Sequence, residues 1–538
     1  MFSKYFLILL FLFLSPQLSA QQTPKQFHDF QYCIDAVDLK KYVYQLASPE
    51  FGGRWINSNS INNVISYLES NFSKFLEPVS FRDTSQYLQP FPVYCIKNID
   101  TLNMVLEAKR ISIEKNEQEE VFTLETIPLK YREEIVPFNY NYVPVQSSAE
   151  MVFAGYGIEE EIYSDYTNLD VKGKIVVVFD GQPQKFGEYI LTDNKRPSRK
   201  YSGYAEKMKI AKQKGAVGLV FIMDEADYAP YYRNRPQRFY AKWQTDSLAT
   251  TCFNTFIISN ECAQNTFGFE KKRVYNVEKR RYERKLVSTS TFGQISNYEL
   301  DFKIPQVVKT YEGVNILGLI KGDSLPDEVV IISAHYDHIG YGARTGKLRP
   351  GADDNASGVA ALLEVAQAFK EASNQGYKPK RTILFAAWAV EELGLLGSNY
   401  YASNQPLIDL DNTIAVINAD MIGRTGFGHQ SKEEYVYVIG SDMINKSLDS
   451  LITSVNRENL NIKLDYKFKK PANSQSYFYR SDQYSFHQKG IPSVLFFGGE
   501  HADYHSPRDT PDKLNYNLLT KRARLIFLVT QALSENGI

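Results

Sequence analysis

The sequence predicts an α/β protein, with a mixed, mostly parallel central sheet flanked by helices and interrupted by a separate β-rich module. Three observations predict it. From about residue 304 to the C-terminus, short β-branched apolar runs alternate with helical patterns, which is how crossover helices build a parallel sheet. One of those runs, Glu328–Ile332, passes into a glycine-rich loop and then a helix whose apolar face is Val359, Leu362, Leu363, Ala366 and Phe369. Between about 145 and 300 the alternation gives way to short β-rich runs punctuated by glycine.

Taken in order, the chain of 538 residues begins with Lys4, an apolar run Tyr5–Leu14 and a small-residue end, Leu18-Ser19-Ala20. This is the pattern of a secretory signal peptide cut after Ala20. The run is far shorter than the roughly 20 residues a membrane span requires, and no later run is longer. A secreted or periplasmic protein without a span in its mature chain is expected. Export permits disulfides among Cys33, Cys95, Cys252 and Cys262; Cys252 with Cys262 is the pairing their proximity favours, and no CxxC spacing points to a metal. A formal net charge of −1 leaves no basic field for nucleic acid.

Helical patterns at Asp38–Leu46 and Ile61–Phe75 flank a turn at Ser48–Arg54. Strands are expected at Leu102–Leu106 and Val121–Leu129. In the module, Met151–Gly157, Gly173–Phe179 and Gly215–Ile222 read as strands, and Tyr204–Lys214 as an amphipathic helix. The basic tract Lys271–Lys285 is broken by Glu278 and Glu283 and reads as a solvated face; the aromatic, Arg-rich tract Tyr228–Trp243 reads as a surface loop. Further on, strands are expected at Val314–Ile320, Val329–Ile332, Arg381–Ala387, Thr413–Ile417, Tyr435–Ile439 and Ser493–Phe497, with helices over 356–372, 393–402, 444–457 and 515–534. Residues 21–97 and 304–538 then form one discontinuous domain, into which 98–303 is inserted with its module core at about 145–300.

Four groups of polar residues each follow a predicted strand, at the carboxyl edge where open α/β sheets place their ligands. They are His335 and Asp337 with Asp354; Glu391-Glu392; Asp420; and Glu500-His501-Ala502-Asp503-Tyr504-His505. Of only seven histidines, His335, His338, His501 and His505 all fall in these groups. Singly, each has a bland reading: an HxD is common, paired glutamates are usually surface charge, and Asp and Ser cap helices. Their joint occurrence in this order favours a metal centre. The nitrogen and oxygen donors suit Zn²⁺, and two ions if one carboxylate bridges. Two such ions clamp a water and polarise a carbonyl together. One carboxylate must then stay free to take the water's proton, which accounts for the Glu391-Glu392 doublet. Asp337, two residues after His335, shares its strand face and can accept the imidazole's other N–H.

The ordered motifs SAHYDH, PGADDNASG, WAVEELGLLGS, NADMIG and DYHSPRDTPDKLNY, over about 315–515, resemble metallopeptidase family 28, the co-catalytic zinc exopeptidases. VFAGYGI, VKGKIVVV and KGAVGLVFI resemble the protease-associated domain often inserted in them, and ASPEFGGR resembles the family's N-terminal part. The resemblance implies a zinc-exopeptidase domain binding two Zn²⁺ ions: His335 and Asp420 on one, Glu392 and His505 on the other, Asp354 bridging. It implies Glu391 as general base, Asp337 as the partner of His335, and a cis bond between Asp354 and Asn355. Ser481-Asp482 falls in a pocket segment of relatives, and Tyr479 is a candidate oxyanion donor. Gln483 and Trp55–Asn59 depart from the family pattern, away from any ligand. The expected activity is that of an aminopeptidase, hydrolysing N-terminal residues of peptides through a metal-bridging hydroxide. The rival readings are a glutaminyl cyclase-like transferase, a glutamate carboxypeptidase-like enzyme using Arg344, Arg424 or Arg480 to hold a carboxylate, and a receptor-like ectodomain without metals. Side-chain preference and oligomeric state are not encoded in these motifs.

Overall fold

The computed structural model describes residues 26–538, apart from 82–83, 100–103, 116–119, 140–144, 186–187, 202, 224–237, 242–252, 277–280, 288–296, 305, 343–344, 470 and 472–475. The signal-peptide pattern over 1–20, Cys252 and its expected pairing, Arg344 and most of the tract Tyr228–Trp243 lie outside the described residues. Two compact units are present among the described residues, one built on segments up to 89, 315–389 and 406–538, the other on 90–314 and 390–405.

The first unit is organised by strands β1 (Gln306–Ile320, from Asn315 onward in this unit), β2 (Leu325–His335), β3 (Arg381–Trp388), β4 (Thr413–Asp420), β5 (Tyr435–Ile439), β6 (Lys463–Asp465) and β7 (Ser493–Phe497). They lie side by side in the order β1-β3-β2-β4-β7-β5-β6. β3, β2, β4 and β7 run parallel, while β1 and β5 are antiparallel to their neighbours. The sheet is therefore mixed and mostly parallel. β2 from Val329 onward, β3 from Thr382 and all of β7 are buried, as near-continuous apolar runs require. Register brings the strand ends level: His335 pairs with Trp388, Ser333 with Asn418, and Asp420 with Phe497. Whatever follows these residues leaves the sheet at one edge. Helices α1 (Ala36–Leu46), α2 (Ile61–Phe75), α3 (Gly358–Asn374), α4 (Lys446–Asn459) and α5 (Tyr516–Asn536) complete the unit, with α5 against α3 and α1. Asp35 caps α1, its carboxylate accepting from the N–H groups of Val37 and Asp38 at 2.7 and 2.9 Å. Among the described residues no helix is long and apolar enough to cross a membrane.

The helix expected from 356 is regular only from Gly358, and just before it Asp354 (φ −105°, ψ 96°) and Asn355 (φ −125°, ψ 41°) are not helical. The Asp354–Asn355 bond is cis, as the resemblance implied. β6 was not foreseen, because three residues are too few to show a period.

One buried carboxyl interrupts the apolar surface of α3. Glu364 is 1% exposed; its Oε2 accepts from the Asp35 N–H at 3.3 Å, and its Oε1 has no hydrogen-bond partner. Burial, and secondarily the charges of Asp38 and Asp35, push it from 4.5 up to about 8. The folded state thus keeps a proton that the unfolded chain releases above 4.5. This contribution to stability falls as pH rises from about 4.5 to about 8 and then levels off. Glu364→Gln is expected to remove that slope and to be the more stable form at pH ~8.5 by a few kcal/mol, on the order of what such a shift implies. Urea unfolding of both proteins at pH ~5 and ~8.5 measures it; parallel pH dependences would refute it.

The second unit carries a sheet in the order Glu120–Pro128, Val105–Lys115, Tyr298–Ile304, Val145–Phe153, Ile175–Phe179, Gly218–Met223, Asn254–Ser259, Ile135–Asn139. Its central four strands are parallel and its flanks antiparallel. Apolar clusters cover both faces, one of them beneath the helix Tyr204–Gln213. Asn254–Ser259 and Tyr298–Ile304 were not foreseen as strands. The basic tract forms a two-stranded ribbon, Glu270–Asn276 against Arg281–Val287.

Candidate metal centre

β2 delivers His335 as its last residue. Its Nδ1 lies 3.2 Å from the main-chain oxygen of Asp337 and 3.7 Å from the Asp337 carboxylate. A carbonyl can only accept, so Nδ1 carries the proton and Nε2 presents a lone pair. That lone pair faces oxygens: Asp420 Oδ1 at 3.3 Å and Asp354 Oδ1 at 3.6 Å. Asp420 ends β4, and its other oxygen accepts from the Ser481 hydroxyl at 2.8 Å. Behind it the buried amide of Asn418 donates to Ser481 Oγ, and Ser333 Oγ donates to Asn418, both at 2.8 Å. The second oxygen of Asp354 faces a different pair of rings, His505 Nε2 at 3.1 Å and His338 Nδ1 at 3.6 Å.

Glu391 and Glu392 open a short turn just past β3, following Val390 at φ 61°. His505 is also left-handed, at φ 52°. Such strain in non-glycine residues is characteristic of functional sites. Two sets of side chains each offer donor atoms within 4.8 Å of one another: His338, Asp354, Glu392 and His505, and His335, Glu391 and Asp420. All five ligand positions expected from the sequence, and the expected base, fall in these two sets. His338 joins them without having been foreseen as a ligand.

The model of peptidase family M28 matches residues 315–530, and the PA domain model matches 139–245. The 315–530 region belongs to family M28. Among curated proteins, a probable leucine aminopeptidase of Arthroderma otae is 29% identical over 229 residues, which are 42% of this chain and 58% of that one. Aminopeptidase YwaD of Bacillus subtilis is 27% identical over 222 residues, 39% of this chain and 43% of that one. A probable glutamate carboxypeptidase of Zea mays is 29% identical over 249 residues, 44% of this chain and 31% of that one. The chain thus spans less than two thirds of the length of these relatives. A solved aminopeptidase from Aneurinibacillus sp. strain AM-1 aligns over 95% of this chain and 97% of its own, at 19% identity and a TM-score of 0.47.

In the M28 region the donors fit a cation on their own chemistry. Ligands about 2.0–2.2 Å from a tetrahedral ion stand roughly 3.3–3.6 Å from one another. The observed spacings of 3.1, 3.3 and 3.6 Å bracket that value. Lone pairs facing carboxylate oxygens repel unless a proton or a cation sits between them. The mixture of imidazole and carboxylate is one that zinc accepts.

Several residues brace the M28 donors. Arg54, wholly buried, donates to the main-chain oxygens of Tyr336, Leu46, Pro350, Gly351 and Asp354 at 2.7–3.1 Å. Gly53, at φ 67°, permits this, since a Cβ there would stand 2.6 Å from the Arg349 oxygen. Asp509 accepts from the N–H groups of Asp353 and Asp354 at 3.1 and 3.2 Å, and burial, with the nearby Asp353 charge, pushes it up to about 7. His501 lies outside the two donor sets: its Nδ1 accepts from the Asp503 N–H, and its Nε2 stands 3.3 Å from Asp353 Oδ2 without a hydrogen bond between them. Tyr504 stacks on His505 at 3.8 Å, and Tyr479 packs on Phe478 and Tyr484. Gln483 is buried and donates to the Phe478 oxygen. Arg54 and Asp509 lay within motifs quoted above, but hydrogen bonds to backbone leave no signature in side-chain pattern.

Proposed function

We propose that this protein is an exported, two-zinc aminopeptidase, with a discontinuous peptidase domain over 21–97 and 304–538 and the PA-containing region 98–303 inserted in it. The observation that carries the reading is Asp354, whose two carboxylate oxygens face separate imidazole-bearing sets. His335 and Asp420 hold one cation, Glu392 and His505 the other, and Asp354 both. When bound, zinc supplies Lewis acidity and lowers the pKa of water. Glu391 takes a proton from the attacking water and passes it to the departing amine nitrogen. Asp337, through its main-chain oxygen at 3.2 Å, fixes the tautomer of His335. The Ser333–Asn418–Ser481 chain keeps Asp420 turned toward His335.

The choice of an aminopeptidase over a carboxypeptidase is supported by the relatives named aminopeptidases and, of the three candidate arginines, by Arg480; Arg344 lies outside the described residues. Capture of a C-terminal carboxylate needs an available cation. Arg480 donates to Glu500 at 3.0 Å and to the Tyr504 hydroxyl at 3.3 Å. Arg424 lies 3.0 Å from Asp503, which Arg508 and Lys513 also hold, at 2.7 and 2.9 Å. Arg480 is thus matched by a carboxylate of its own and is not an open anion site, whereas Arg424 shares the single charge of Asp503 with two other cations.

A panel of peptides with free and blocked N-termini, assayed with chelator and with zinc restored, tests the reading. Free peptides should lose residues singly from the N-terminus, blocked ones should persist, and chelator should stop the reaction until zinc is returned. Shortening of blocked peptides from the other end would establish a carboxypeptidase. Loss of ammonia from an N-terminal Gln, without shortening, would establish a cyclase.

A further inference from the structure

We infer that His338 is a further metal ligand, closing the coordination of the cation held by Asp354 Oδ2 and His505 and leaving the open position on the cation at His335 and Asp420. The inference rests on the two-zinc reading above and deepens it.

Its main support is an equality of distances. His335, a ligand by every other criterion, has its Nε2 3.6 Å from Asp354 Oδ1. His338 Nδ1 lies at the same 3.6 Å from Asp354 Oδ2. That is too long for a hydrogen bond and matches the edge of a coordination polyhedron with bonds of about 2.0–2.2 Å. The carboxylate of Asp354 therefore meets one imidazole lone pair on Oδ1 and two imidazoles on Oδ2. His338, Asp354, Glu392 and His505 present their donor atoms within 4.8 Å of one another.

The ring is also built into place. His338 is wholly buried, and its N–H donates to the Arg54 oxygen at 3.3 Å. A Cβ on residue 351 would stand 2.6 Å from the imidazole, so Gly351, at φ 60°, makes the space the ring occupies. The ring meets His505 edge to face, with centroids 5.6 Å apart, as two imidazoles turned toward a common point can.

The consequence is inequality. An ion held by four protein side chains is enclosed and exchanges slowly, whereas one with fewer keeps a position for water or substrate. His335 and Asp420 would then hold the ion that keeps room for substrate, and His338, Glu392 and His505 the one that fixes Asp354.

The test uses the full-length protein loaded with cobalt(II), His338→Gln and His338→Cys. In the parent, hyperfine-shifted proton signals should include an exchangeable imidazole N–H that vanishes in His338→Gln. Competition with a chromophoric chelator should show one of two metal equivalents weakened by at least about tenfold, the scale on which metal surroundings act. His338→Cys should restore tight binding and add a thiolate-to-cobalt charge-transfer band, which a merely structural role would not produce, and which decides the matter if His338→Gln does not fold. Unchanged shifted signals and affinities in His338→Gln, or no such band in a metal-loaded His338→Cys, would overturn the inference. A parent protein that binds neither cobalt nor zinc would instead overturn the two-zinc reading.

Discussion

Glu391→Gln is expected to lower kcat by about a thousandfold, within the range that general acid–base catalysis supplies, while leaving fold and metal content intact. The amide keeps the shape of the carboxylate but cannot take a proton from water. Glu391 is largely buried and opens the turn after β3, beside Glu392. Neighbouring residues leaving a strand point in different directions, so one can serve the metal and the other the water. The geometry also poses an alternative, because Glu391 stands within 4.8 Å of donors on both His335 and Asp420. Were it a ligand, the substitution would remove about one metal equivalent along with activity. Metal analysis beside steady-state kinetics separates the two: full metal with little turnover supports the base, and lost metal supports the ligand. Near-parental turnover would exclude both roles.

Arg54→Met is expected to destabilise the first unit by on the order of 5 kcal/mol and to weaken metal binding as well. Arg54 is 0% exposed and five of its hydrogen bonds end on main-chain oxygens. Removing it leaves a fan of buried carbonyls without donors, each costing about 1–3 kcal/mol before relaxation. Leu46 apart, those carbonyls flank the metal-facing groups. Tyr336 adjoins His335, Pro350 and Gly351 begin the turn into Asp354, and Asp354 is itself one of them. Arg54 therefore pins both ends of the loop that separates the first two metal-facing groups. Arg54→Lys should recover little, because an ammonium is a point donor on a flexible stem and cannot span that fan. Denaturant unfolding, with chelator competition on the folded protein, measures both effects. Parental stability in the lysine variant would refute the argument.

Much of this was legible beforehand because it is written in local periods. β5 and β7 fall on the residues the apolar runs marked, and α2 on the helical pattern, since burial of a whole strand or of one helix face leaves a repeat in the chain. The chemical groups were legible for a related reason: each follows a strand, and a parallel sheet collects strand ends. The register that pairs His335 with Trp388 and Asp420 with Phe497 is the physical form of that expectation. Lys463–Asp465 escaped because three residues are too few to show a period, and Asn254–Ser259 because its apolar run is only the three residues Phe256–Ile258 between polar ends.

Side-chain direction was not legible. In the run SAHYDH, His335 and His338 are equivalent letters; only the chain's path beyond β2 turns one toward Asp354 Oδ1 and the other toward Oδ2. Nor could the pattern show that the Asp337 main-chain oxygen lies nearer His335 Nδ1 than its carboxylate, that His501 stands beside Asp353, or that Glu500 and Asp503 hold Arg480 and Arg424. The amino-acid order thus dictates which elements form and which donors reach the sheet edge, because burial acts along the chain at fixed spacings. The pairing of those donors depends on atoms brought together from as far apart as Arg54 and Asp354, and distances of a few ångströms between such segments exist only once the chain has packed.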